Sequence, residues 1–167
     1  CFLSHLECIK IGKEKKLNSI FVIEDDCIPF YNENNLDERL NSIKNILDTY
    51  DDWDIFLGCV NKFFSQDVIG SICIENKNFV KIKKGHMTNM ICYNCKCYDF
   101  FLNINPDSGI PIDVCWNGKL TAIVPVPFIA AQEDDFINIA NAPISYRGRT
   151  MTSNNSFVKY VKDNSKI

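Results

Sequence analysis

Ser19-Ile20-Phe21-Val22-Ile23 is a continuous apolar run of strand length that stops at three consecutive acids, Glu24-Asp25-Asp26. A run with no polar alternation is the pattern of a strand covered on both faces, which belongs to parallel sheets flanked by helices. Its surroundings agree. Residues Cys1 to Lys16 read as an amphipathic helix, with Phe2, Leu6, Ile9 and the stem of Lys13 on one stripe, and Lys13 to Asn18 form a charged turn. After the acids comes a loop with Pro29 and several Asn residues. A second helix is predicted from Leu36 to Tyr50, with Leu40, Ile43 and Leu47 at helical spacing, then a strand from Trp53 to Leu57 closed by Gly58. Helix, strand, helix, strand is the order of an α/β fold.

Beyond Val68 the pattern changes to short alternating pieces, Ile69–Ile74, Phe79–Ile82 and His86–Tyr93, which predict antiparallel strands. A helix from Cys95 to Asn103 follows, then a loop through Pro106 and Gly109. A short helix begins at Pro111, with Asp113 in its first turn, where the helix dipole favours a carboxylate. Thr121–Val126 is the last predicted strand. Residues 1–152 are expected to form one domain, and Ser153–Ile167 a polar, mobile tail. The chain opens in mid-helix at Cys1, so it is expected to be part of a longer protein that lacks its amino-terminal portion here.

With 167 residues, the chain is long enough to bury one core without metal or disulfide staples. A formal net charge of -3 leaves no basic excess for a phosphate backbone, so nucleic acid is not expected as a partner. No apolar stretch reaches the ~20 residues of a membrane span; the longest, near Ala122 to Ala131, is cut by Pro125 and Pro127. Most of the nine cysteines sit inside apolar runs, where a thiol acts as a small hydrophobe, which points to a reducing, cytoplasmic setting. The spacing Cys92-x-x-Cys95-x-Cys97 would suit three zinc thiolates, with Cys115 or His86 as the fourth ligand. A helix starting at Cys95 would instead turn these thiols in different directions.

The chemistry is expected at the acidic strand end, because ligands of open α/β sheets bind outside the carboxyl ends of the strands. In an extended chain Glu24 and Asp26 share one side and Asp25 takes the other. Two hard carboxylates suit Mg²⁺ or Mn²⁺, completed by waters and a diphosphate. The same pattern also describes a solvated acidic turn.

Cys1-Phe2-Leu3-Ser4-His5-Leu6, followed about twenty residues later by Phe21-Val22-Ile23-Glu24-Asp25-Asp26, resembles glycosyltransferase family 25, which includes bacterial lipooligosaccharide glycosyltransferases and procollagen galactosyltransferases. Gly85-His86-Met87-Thr88, Pro111-Ile112-Asp113 and Pro127-Phe128-Ile129-Ala130-Ala131-Gln132 resemble later segments of that family in the same order. The resemblance spans Cys1 to Ile139. It implies a GT-A type, Rossmann-like fold and inverting transfer of a hexose such as galactose from a UDP-sugar to a hydroxyl of a glycan or protein. It also implies a metal held by Glu24 and Asp26 with His86, and a donor bound through His5, Glu24, Asp25 and Asp26. Asp113 is the expected general base and Gln132 a substrate-binding residue. Where the family has a Ser-Asp-Ile type stretch after the Gln, this chain reads Phe136-Ile137-Asn138-Ile139. Two other functions fit the residues: a non-catalytic glycan- or partner-binding module, and another divalent-metal enzyme that handles phosphates. His5, His86, Trp53 and Trp116 each carry an alternative expectation as packed residues without a ligand.

Overall fold

The computed structural model describes residues 2–30, 36–137 and 142–164. The elements are α1 (Phe2–Glu14), β1 (Ser19–Ile23), β2 (Cys27–Pro29), α2 (Leu36–Thr49), β3 (Ile55–Leu57), β4 (Val68–Ile74) and β5 (Lys77–Ile82). They continue with β6 (Met90–Asn94), α3 (Tyr98–Leu102), α4 (Ile112–Cys115), β7 (Ala122–Val126), β8 (Ala130–Gln132), β9 (Asp135–Ile137), β10 (Ala142–Ile144) and α5 (Tyr146–Asn164). All four sequence-predicted helices and the predicted strands fall within a few residues of their expected places.

Six strands form one mixed sheet in the order β1-β6-β3-β7-β5-β4. Only β3 and β7 run parallel, with Ile55 opposite Ala122 and Phe56 opposite Ile123. The mixed α/β class is therefore as expected, but antiparallel pairing dominates. β1 is the main departure: it is an edge strand, antiparallel to β6 from Ser19↔Asn94 to Ile23↔Met90. Phe21 and Ile23 remain 39% and 56% exposed, so the apolar run is not covered on both faces. An unbroken apolar run reports β propensity, and only neighbouring elements decide whether the second face is buried.

The interior is built on β3, β5, β6 and β7, whose Phe56, Phe79 and Tyr93 are fully buried together with Trp116, Phe101 and Phe128. Burying each such side chain is worth about 1.5–3 kcal/mol. Gly58 closes β3 where a Cβ would stand 2.6 Å from Met90 Sδ, so only glycine admits this approach. Its N–H donates to the Met90 carbonyl, and its own carbonyl accepts from Ile129, which steers the chain from β7 into β8. Trp53 and Trp116 are both buried, which removes them as platforms for a sugar ring.

The expected polar tail is largely a helix. Ser153 to Asn164 continue α5, which buries Thr150, Ser153, Asn154, Phe157 and Val161. Phe157 packs edge-on against Phe128 and Phe63. Three of these five buried residues are polar, so hydrophobic periodicity alone does not mark the stripe. Residues 165–167, the Asn-rich loop 31–35 and the stretch 138–141, which includes Asn138 and Ile139, lie outside the described residues.

Only some of the cysteines follow the expectation of a buried hydrophobe: Cys59, Cys92, Cys97 and Cys115 are buried, Cys8 and Cys27 half-buried, and Cys73 and Cys95 exposed. All eight cysteines among the described residues are unpaired. Burial pushes the Cys92 thiol up to about 12 and those of Cys27 and Cys115 to about 11. Cys92 and Cys97 are buried while Cys95 faces solvent, because a 3-10 turn over Cys95–Cys97 opens the third helix. Among the described residues no three His, Cys, Asp or Glu side chains gather into a metal-holding group, neither these thiols with Cys115 or His86 nor Glu24 and Asp26 with His86.

Candidate functional site

The acidic segment is a turn rather than a strand extension. β1 ends at Ile23, the Glu24 N–H donates to the Asn89 carbonyl at 2.9 Å, and the Cys27 N–H closes back on the Glu24 carbonyl at 3.2 Å. The chain then leaves as β2, paired antiparallel with β8 so that Cys27 faces Gln132. A second tie comes from the Glu133 N–H, which donates to the Asp26 carbonyl at 2.9 Å. Glu24 and Asp26 end up half-buried and Asp25 exposed. Exposure thus alternates along the three acids, although the segment is a turn.

Each inward carboxylate is held by protein donors. Glu24 Oε1 lies 2.8 Å from His5 Nε2 and accepts from the Thr88 hydroxyl at 2.9 Å. His5, on α1, is 2% exposed, and its Nδ1 is 2.8 Å from the Tyr93 hydroxyl on β6. Burial holds the Tyr93 phenol protonated, well above its ordinary range. One proton arrangement uses every group once: Tyr93 O–H donates to Nδ1, and Nε2–H donates to Glu24. The His5 hydrogen bond is the largest influence on Glu24 and holds its carboxyl below the usual range, against a smaller desolvation effect. His5 thus grips the carboxylate with Nε2 while Nδ1 is engaged by Tyr93.

Gln132 donates from Nε2 to Asp26 Oδ2 at 2.7 Å, so its amide pins the acidic turn. Asp26 Oδ1 is buried and has no hydrogen-bond partner. A buried carboxylate oxygen without a donor is costly, and a divalent cation is one group that satisfies it. The donor set, two hard carboxylates of which one oxygen is orphaned, fits Mg²⁺ or Mn²⁺ with the other ligands drawn from water and phosphate.

Asp113 occupies the first turn of α4, after Pro111 at the N-cap. Desolvation raises its carboxyl above the usual range; the nearby His86 opposes this, as do the N–H groups of Asp113 and Met87, and the Glu24 charge adds a small upward push. His86 Nδ1 is 3.9 Å from Asp113 Oδ2. His86 is therefore placed as the companion of Asp113. The loop that carries it includes Met87 at φ 123, a conformation that costs about 1–3 kcal/mol and persists only where packing enforces it.

Glu24, Thr88, Asp113 and Gln132 line one cleft of about 470 Å³, together with Asn61 and Asn89. Asn89 is buried, and its Nδ2 has no hydrogen-bond partner. It is an unused donor at the wall of the cleft. Of the sequence-predicted residues, Glu24, Asp113 and Gln132 meet here, His5 and Asp26 support from behind, and Asp25 points to solvent. Thr88, Asn89 and Tyr93 escaped the sequence reading. Thr88 ends the Gly85-His86-Met87-Thr88 segment, which was a usable signal; Asn89 and Tyr93 are enclosed by apolar residues and carried none. Compared with protein-family models, curated proteins and solved structures, the chain matches none.

Proposed function

We propose that the chain is a family 25-like glycosyltransferase of GT-A type, which moves a hexose from a UDP-sugar to a hydroxyl of a glycan or protein with inversion. The observation that carries this reading is the divergence of two carboxylates in one cleft: Glu24 is hydrogen-bonded and held ionised, whereas Asp113 is desolvated and its proton affinity raised. Environments that push two carboxyls apart give them different tasks. Asp113 is the base. Its carboxylate accepts the acceptor proton as the hydroxyl oxygen attacks the anomeric carbon; the new glycosidic bond forms while the bond to the diphosphate breaks. Raised basicity brings Asp113 closer to the working pH, and His86 faces it as a charge partner. Glu24 and Asp26 would hold a divalent ion, which supplies Lewis-acid stabilisation of the departing diphosphate. His5 and Tyr93 act through Glu24, and Gln132 through Asp26.

A second reading, a glycan-binding module without turnover, is favoured by the engagement of Glu24 Oε1 and Asp26 Oδ2 with protein donors, which is how a purely structural turn would look. UDP release from UDP-galactose with Mn²⁺ and a simple hydroxyl acceptor separates the two. An enzyme releases UDP and loses this in Asp26→Asn and Asp113→Asn. Glycan binding with no UDP release, unchanged in both variants, would overturn the transferase.

A further inference from the structure

A second groove, of about 660 Å³, opens beside the cleft and shares Asn61 with it. One wall is the first half of α5, which contributes Arg149, Thr152, Ser153 and Ser156; the other carries Lys62. The start of α5 joins the two spaces, since Tyr146 borders the cleft and Ser145 the groove. The backbone donors of the helix start are already used: Gly148 N–H donates to Ser145 Oγ, and Arg147 N–H to Asp134 Oδ1. The groove therefore depends on side chains. Lys62 is exposed, its ammonium 4.6 Å from the Phe64 ring centroid, and it has no carboxylate within ion-pair distance among the described residues. Arg149 is exposed and has no carboxylate within ion-pair distance among the described residues. Ser153 is 3% exposed, and its hydroxyl has no hydrogen-bond partner. Asp134, which accepts from Ser145 Oγ at 3.3 Å, is the acid nearest the helix start in the bonding pattern.

Two cations and an unsatisfied buried hydroxyl in one concave space, on a chain of net charge -3, are an anion receptor rather than a solvated face. We propose that this groove binds the phosphate or carboxylate group of the substrate whose reacting part lies in the Glu24–Asp113 cleft. Arg149 and Lys62 hold the charge, and Ser153 donates from the floor. The proposal rests on the reading of the cleft as a transfer site.

The test is amide chemical-shift titration with inorganic phosphate, UDP and glucuronate, which needs no turnover. Phosphate should move the resonances of Lys62, Arg149 and Ser153, and Arg149→Gln should weaken it about tenfold while the thermal midpoint stays put. Ser153→Ala, which removes a hydroxyl that has no partner to lose, should weaken it without destabilising the fold. UDP affinity that falls in these variants assigns the groove to the donor diphosphate; glucuronate affinity that falls assigns it to an acidic acceptor. Either supports the proposal. Anion shifts elsewhere, or shifts at the groove that persist in Arg149→Gln with Lys62→Gln, overturn it. Groove binding without UDP release from UDP-galactose would sink the transferase reading and leave the receptor standing.

Discussion

Glu24 and Asp113 border the same cleft, yet the protein treats them in opposite ways. Glu24 receives two hydrogen bonds from His5 and Thr88 and is held ionised; Asp113 is taken from water with a more distant histidine at 3.9 Å. A short hydrogen bond favours the charged form more than desolvation opposes it, while a partner near 4 Å does not keep pace with burial. What differs is the supply of donors, not the depth of the site. A carboxylate tied by two hydrogen bonds is suited to fixed electrostatics. One with a raised proton affinity is suited to taking a proton.

The widest separation is expected in turnover. Asp113→Asn should lower UDP-sugar transfer by about 10²–10⁴-fold, the range for loss of a general base, with the fold intact. Equal rates in the variant would erase the distinction between the two acids. Glu24→Gln should lower both metal-dependent turnover and stability. It replaces an acceptor of charged hydrogen bonds, at a cost of about 1–3 kcal/mol in urea unfolding. A midpoint unchanged in Glu24→Gln would mean that the His5 contact contributes nothing. Tyr93→Phe removes one bond two links away and should cost about 1 kcal/mol, accompanied by a change in the His5 imidazole resonances in the NMR spectrum at fixed pH. Unmoved resonances would break the link.

The pH dependence sharpens the same contrast at smaller amplitude. Glu24 is lowered relative to the unfolded chain, so its stabilisation is complete above the unfolded carboxylate pKa and is lost as pH falls through its folded value. Asp113 is raised, so its ionisation costs stability above its folded value, and that cost is relieved as pH falls. Unfolding free energies across pH should therefore show a shallower acid loss in Glu24→Gln and a slightly higher neutral plateau in Asp113→Asn. Activity should fall on the acid side as Asp113 protonates. Curves that coincide for both variants would show that the two environments are equivalent.

Much of this was readable before the structure. Helix and strand spacing placed α1, α2 and β3 to β7, and the acidic run with Asp113 marked the two carboxylates. The grip on Glu24 was not readable, because His5 and Thr88 reach it from 19 and 64 residues away, and no local pattern encodes a tertiary hydrogen bond. β1 was misjudged for the same reason. Ile20 to Ile23 look alike in sequence, and only the missing neighbour on one side of β1 leaves Phe21 and Ile23 in contact with water. On α5 the limitation was chemical: Thr150, Ser153 and Asn154 fill positions that a period-based reading reserves for aliphatic residues. Asn154 is there for its oxygen, which accepts from the Phe128 N–H at 2.8 Å.

The bond from Gln132 to Asp26 joins residues 106 positions apart, and that from His5 to Tyr93 spans 88. Bonds of such span form only after long loops have closed, so they contribute to a high contact order and a slow search. The cleft is consequently a property of the whole chain and of no segment within it. A ribosome that has passed Asn94 but not yet reached β8 has produced the acids of the turn and none of the amide that pins it. Any nascent, nicked or truncated form that lacks β8 carries Glu24 and Asp26 as an unanchored acidic loop, and chemistry at this site is withheld until synthesis has passed Gln132.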